Sequence, residues 1–132
     1  MIFIDASAFL AFYSRTDQYH RETVRLWQTL KGPLVTSNHV VDEVATGLGR
    51  AAGYQFAANC VTGIYAAPRI DILQSARADE IEAIRWMRKY ADQGVSFTDC
   101  VSFAMMRRLG IRTAFTFDRH FRFAGFDVVG LK

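Results

Sequence analysis

A chain of 132 residues, 51% hydrophobic and 22% charged, can bury a substantial single core, and that mixture excludes a disordered or fibrous protein. Sixteen basic residues against 13 acidic ones leave a net charge of +3, which permits a polyanionic partner without requiring one. Cys60 and Cys100 lie in apolar segments without paired spacing, no basic-then-apolar leader precedes the first acid, and no apolar run is long enough to span a bilayer. The expectation is therefore a soluble, cytoplasmic protein with buried free thiols and no membrane contact.

Met1-Ile2-Phe3-Ile4 reads as a strand buried on both faces, stopping at Asp5. The small pair Ala6-Ser7 leads into a short helix over 8–13, broken around Ser14-Arg15-Thr16. Asp17 is placed to cap the next helix, whose apolar side is Val24, Leu26, Trp27 and Leu30, and Gly32-Pro33 ends it. Leu34-Val35-Thr36 is a short strand. Ser37 or Asn38 then caps a helix to about Arg50, with Val40, Val41, Val44, Ala45 and Leu48 at core spacing.

Gly53 separates that helix from another over 54–66 that is apolar on nearly all sides. Pro68 stops it, and Arg69 to Leu73 follows as a strand. Ser75 is expected to cap a long helix to about Asp92, with Ile81, Ile84, Met87 and Tyr90 facing inward. After Gly94, Val95 to Asp99 opens a helix that runs through Met105 to Leu109. Thr113 to Thr116 is a strand leading to Phe117-Asp118, and Asp127-Val128-Val129 forms a last edge strand. Strands alternating with helices call for one α/β domain over 1–132, a parallel sheet with helices on both faces.

In a parallel sheet the carboxyl ends of the strands share one edge, where ligand chemistry collects. Asp5, Asp99 and Asp118 fall at such junctions, and Glu43 lies about one turn inside the helix after the second strand. Four carboxylates brought together repel one another, and a hard divalent cation with oxygen ligands, Mg²⁺ or Mn²⁺, removes the conflict. Each acid also has a local reading. Ser96-x-x-Asp99 is a capping-box pattern, Asp5 and Asp118 can cap the turns that follow them, and Asp42 borders its helix stripe as well as Glu43 does. Gly47, one turn beyond Glu43, is expected to leave open room beside it, which favours Glu43.

Four blocks in order, Ile4-Asp5-Ala6-Ser7, Thr36-Ser37-Asn38 leading to Asp42-Glu43, Ser96-Phe97-Thr98-Asp99 and Thr116-Phe117-Asp118-Arg119-His120-Phe121, resemble the motifs of the PIN-domain ribonucleases, and among them the VapC-type toxins. The resemblance runs over essentially the whole chain. It implies a PIN-like three-layer sandwich with strand order 3-2-1-4-5. It also implies an acidic quartet of Asp5, Glu43, Asp99 and Asp118 as catalytic metal ligands for Mg²⁺ or Mn²⁺. Ser7 and Thr98 match hydroxyls that hold a ligand carboxylate or the scissile phosphate, or else cap locally. The implied activity is metal-assisted hydrolysis of RNA, leaving a 5′-phosphate and a 3′-hydroxyl, by the toxin of a type II toxin–antitoxin pair. The implied partners are an antitoxin and a second copy, using in part the apolar helix 54–66, where Ile64 is the residue to probe; the alternative is that the helices over 38–50 and 75–92 bury it within the monomer.

Arg15, Arg119 and Arg122 are candidates for RNA phosphates, with a solvated surface as the default; a histidine can relay protons at neutral pH, and His120, beside Asp118, is better placed for that than His39, with polar surface or capping as the default for both. A PIN fold that binds RNA or a partner without cutting is the alternative. A haloacid-dehalogenase phosphatase wants a second Asp where Ser7 stands, and a receiver domain wants a late Lys that only Lys132 could supply.

Overall fold

The computed structural model describes residues 1–131. Five strands form one parallel sheet in the order β3-β2-β1-β4-β5: β1 Ile2–Ile4, β2 Leu34–Ser37, β3 Ile70–Leu73, β4 Thr113–Thr116 and β5 Asp127–Gly130. This is the expected order. The chain steps outward from β1 through β2 to β3, then crosses back past β1 to β4 and β5. Right-handed crossovers place the helices of the two halves on opposite faces of the sheet. In the first half α1 (Ala6–Tyr13), α2 (His20–Trp27), α3 (Asn38–Ala52) and α4 (Tyr54–Ala66) pack as one layer. In the second, α5 (Arg77–Lys89) packs on α6 (Phe97–Leu109), and a short helix α7 (His120–Phe123) precedes β5.

The central strands are apolar on both faces because both faces are covered. Phe3, Ile4, Leu34, Ala114 and Phe115 are buried, and Trp27 of α2 lies between Phe115 and Phe9 of α1, 5.9 Å from each ring. Phe103 of α6 anchors the other layer among Trp86, Phe121 and Phe126. The edge strand β3 keeps all four of its residues at least partly exposed. Both cysteines are free and buried. Among the described residues no helix is long and apolar enough to cross a membrane.

Several local expectations change. Ser37, not Asn38, caps α3: its hydroxyl accepts from the Val40 N–H at 3.2 Å, while the Asn38 side-chain Oδ1 accepts from the Ser75 N–H. Asp17 accepts from the Tyr19 N–H in the turn before α2, which starts only at His20. α2 ends at Trp27, and Val24 is exposed, whereas Leu30 beyond the helix is buried.

The α5 expectation is corrected most. Ala76, not Ser75, is its cap position, with the Asp79 carboxylate accepting from the Ala76 N–H, and it ends at Lys89 before a 3₁₀ turn over Ala91–Gln93. Ile81, Ile84 and Met87 point to solvent, and Asp79 and Ala83 are the buried residues, with Trp86 and Tyr90 packed against the core. Asp79 takes a bidentate pair of bonds from Arg108 of α6, at 2.7 and 2.9 Å, and Ala83 is small enough to let the two helices meet.

α4 is correctly bounded, but its cover lies largely within the protomer. Ala57, Cys60 and Ile64 are buried against α3, and Ile64, only 1% exposed, belongs to the core and is no test of a partner surface. Close approach of the two helices needs Gly49, since a Cβ there would overlap the Tyr54 ring. The outward face carries Phe56, Tyr65 and the edge of Tyr54, all exposed.

Candidate functional site

At the carboxyl edge of the sheet, between α1, α3 and α6, lies a cleft of about 370 Å³ lined by Asp5, Glu43, Asp99, Asp118, Ser7, Ser96 and His120. All four acids expected from the sequence line it. No Lys or Arg is among its described lining residues.

Asp5 follows the last residue of β1 and is 2% exposed. It stands at the cap position of α1, yet its carboxylate makes no side-chain capping bond. Instead Oδ2 accepts from the Ser7 hydroxyl at 2.9 Å and the Thr116 hydroxyl at 2.8 Å. Each hydroxyl in turn accepts a backbone N–H, Ser7 from Phe117 and Thr116 from Asp118, both at 2.9 Å. The two hydroxyls also lie 3.1 Å apart, so Ser7, Thr116 and Asp5 Oδ2 form one small network at the strand ends. The other oxygen, Oδ1, is buried and has no hydrogen-bond partner among the described residues. A carboxylate oxygen without a donor is costly, and this one belongs to a cleft that three further acids line.

Asp99 sits in the first turn of α6, where Ser96 is the cap and accepts the Asp99 N–H at 3.1 Å. The capping box is only half made: no bond returns from the Asp99 side chain to the Ser96 N–H, and the carboxyl turns into the cleft beside Asp118. Asp118, two residues beyond β4, accepts the His120 N–H at 2.9 Å, and its Oδ1 lies 3.0 Å from His120 Nδ1. One ligand atom from each of Asp99, Asp118 and His120 falls within a 4.8 Å set. Glu43 lines the cleft from α3, while Asp42 does not. Gly47 does not leave open room beside it: a Cβ there would meet the Leu10 side chain at 3.2 Å.

The electrostatics follow from this crowding. Burial, first, pushes the Asp99 carboxyl up to about 10, and the charges of Asp5, Asp118 and Glu43 add to it. Asp5 is raised by burial, against the opposing pull of the Thr116 and Ser7 hydroxyls and the Ala6 N–H, with Asp118 adding a small push upward. Glu43 is raised by loss of hydration and then by Asp5 and Asp118, even though its residue as a whole is exposed at the mouth.

Thr98 is not brought in. It does not line the cleft, and its carbonyl accepts the Ser102 hydroxyl. Arg119 lies outside the acid cluster in an adjoining groove, and Arg15 is exposed. His39 bonds Ser75 at 3.0 Å and ties the start of α3 to the loop after β3. Two residues at the cleft were not among the site residues expected from the sequence. Thr116 showed only as the start of Thr116-Phe117-Asp118, and His120, read as a surface or capping residue, stands in the cluster. Their signal is spacing: two residues before and two after the last acid.

The donor set suits a hard divalent cation. It offers carboxylate oxygens, an orphaned buried Asp5 Oδ1 and no competing cationic side chain in the lining.

Comparison with known proteins agrees with this arrangement. The PIN domain model matches residues 2–127. The 23S rRNA-specific endonuclease VapC20 of Mycobacterium tuberculosis is 35% identical over 126 residues, 96% of this chain and 95% of that protein. The crystal structure of M. tuberculosis VapC20, described as a Sarcin-Ricin loop cleaving toxin, superposes with a TM-score of 0.90 at 32% identity, covering 96% of each chain. A chain of a toxin–antitoxin complex from Klebsiella pneumoniae shares the fold at a TM-score of 0.67 and 15% identity, over 98% of this chain and 96% of that one. Motif order, strand order and the gathered acids thus coincide with a match over nearly the full length, and the chain belongs to the PIN-domain family, among the VapC-type proteins.

Proposed function

We propose that this protein is a metal-dependent endoribonuclease acting in the cytoplasm as the toxin of a type II toxin–antitoxin pair. Asp5, Glu43, Asp99 and Asp118 would hold one or two Mg²⁺ or Mn²⁺ ions. The observation that carries this reading is Asp5: one oxygen is held by two hydroxyls, and the other is buried without a hydrogen-bond partner among the described residues, in a cleft that three more acids line. A divalent cation held there would lower the pKa of a water and offset charge on the phosphoryl oxygens.

The side chains do the positioning. Ser7 and Thr116 lock the Asp5 rotamer and couple it, through the Phe117 and Asp118 N–H groups, to the end of β4. Asp99, Asp118 and Glu43 offer oxygens from three other segments. His120 sets its ring Nδ1 3.0 Å from Asp118 Oδ1 at the edge of the cleft. In the hydrolysis the water oxygen stays on phosphorus as the 5′-phosphate, the P–O3′ bond breaks, and a proton ends on the 3′-hydroxyl.

RNA is the substrate class, and ribosomal RNA is the first to try, since the 35%-identical relative is named for 23S rRNA. An antitoxin and a second copy are the proposed protein partners. An Arg or Lys from an antitoxin segment would pair with the carboxylates and compete with metal. The test is cleavage of RNA by the purified protein in Mg²⁺, in Mn²⁺ and in EDTA, beside Asp5→Asn. Metal-dependent cutting by wild type, with the variant at least about 100-fold slower and still folded, is expected. Near wild-type cutting by the variant, or equal cutting in EDTA, refutes the metal site.

A further inference from the structure

A second depression, of about 520 Å³, opens directly from the acid cleft and shares Ser7, Leu10, Asp118 and His120 with it. Its outer wall is Asp17, Gln18 and Tyr19, from the turn between α1 and α2, facing Phe117 and Arg119. The Tyr19 and Phe117 rings are stacked, 4.4 Å between centroids and 5° from parallel. Both are only partly buried.

The pair is held in register with the acids. Phe117 lies between Thr116 and Asp118, and its N–H donates to the Ser7 hydroxyl that grips Asp5. Asp17 holds the Tyr19 N–H at 2.8 Å, which fixes the partner ring. Gln18 is left exposed at the rim with both a donor and an acceptor. Arg119 is exposed on the other side, with its guanidinium 5.9 Å from the Phe123 ring. A flat aromatic pair, a free amide and a cation within one pocket beside a phosphodiester site are what an unpaired nucleotide requires.

We infer that this groove holds the unpaired nucleotide next to the scissile phosphate, its base packed on the Tyr19–Phe117 pair and a flanking phosphate at Arg119. The inference rests on the ribonuclease reading for what lies in the adjoining cleft. It adds which side of the cleft the strand takes and why a single-stranded or looped segment is preferred over a duplex: a paired base cannot reach the rings.

Binding separates the two readings because it needs no turnover. Fluorescein-labelled RNA tetranucleotides, intact or with one abasic ribose at either internal position, are titrated by anisotropy in Ca²⁺. Wild type is expected to bind the intact strand about tenfold more tightly than the abasic one, the size of one base–aromatic stack. Tyr19→Leu is expected to erase that difference. Arg119→Ala should weaken intact and abasic strands alike and lower the salt dependence. Equal binding of intact and abasic strands by wild type overturns the inference, whether or not Tyr19→Leu folds, and is the outcome if the groove takes a peptide. An unchanged base preference in folded Tyr19→Leu overturns it as well. A wild type that binds with base dependence but cuts no RNA would refute the catalytic reading alone, and base-independent binding by an active nuclease would refute the groove alone.

Discussion

Replacing Asp99 by Asn should stabilise the metal-free protein, by an amount that grows with pH. The Asp99 carboxyl is pushed up to about 10 by burial and by its acidic neighbours, whereas in an unfolded chain it ionises near the ordinary aspartate value. Across that interval the folded state holds a proton that the unfolded state has released, so stability falls as pH rises. Any stability carried by the protonated pair is full below about pH 4 and is lost upward toward the folded value. The slope for one such group is about 1.4 kcal/mol per pH unit, which reaches roughly 5 kcal/mol by pH 7.5 as a ceiling. Solvent relaxation and sharing of the charge leave on the order of 2 kcal/mol as a floor. Asn has the shape of the protonated acid and no proton to keep, so its cost does not grow with pH. For a domain of this size, 1 kcal/mol moves Tm by about 3 °C. In EDTA the melting gap between variant and wild type should widen by about 6–12 °C from pH 5 to pH 8, three pH units at that slope giving about 4 kcal/mol at most. Adding Mg²⁺ should raise wild type by linkage and the variant much less. Tm profiles that run parallel from pH 5 to 8, or an equal Mg²⁺ response, would refute the account and return Asp99 to a helix-start residue.

Thr116→Val keeps volume but removes the hydroxyl that serves both Asp5 and the Asp118 N–H, so a loss of about 1–3 kcal/mol in melting and a 10- to 100-fold fall in ribonuclease rate are expected; unaltered kinetics would show that the hydroxyl does not position Asp5. Glu43→Gln should cut activity at least tenfold while Asp42→Asn, outside the cleft, leaves it within about twofold, and the reverse order in a paired assay would move the ligand to Asp42. For the proposed homodimer, Tyr65→Glu on the exposed face of α4 should give a folded monomer by light scattering, whereas Ile64→Glu, which buries a charge, should fail to fold; a dimeric Tyr65→Glu protein would place the contact elsewhere.

The layering was legible in the chain because short apolar runs alternating with helical periods leave few arrangements other than a covered parallel sheet. The convergence of Asp5, Asp99 and Asp118 followed with it, since parallel strands present all their carboxyl ends at one edge. Periodicity could not say which of Asp42 and Glu43 faces that edge, because both border the same stripe; the phase of α3 over the cleft decides, and it brings in Glu43. A local motif could not say whether Asp99 closes a capping box, because the backbone and the neighbouring acids compete for one carboxyl, and only their placement turns it inward. Thr116 and His120 carry no signal of their own: a hydroxyl or an imidazole gains a role only from what stands opposite it. α5 shows the same limit most plainly. Its sequence offers two stripes, Ile81-Ile84-Met87 and Asp79-Ala83-Trp86, and hydrophobicity alone selects the first. The fold buries the second, because Arg108 of α6 supplies the partner that lets Asp79 leave water and Ala83 leaves the space in which the helices meet.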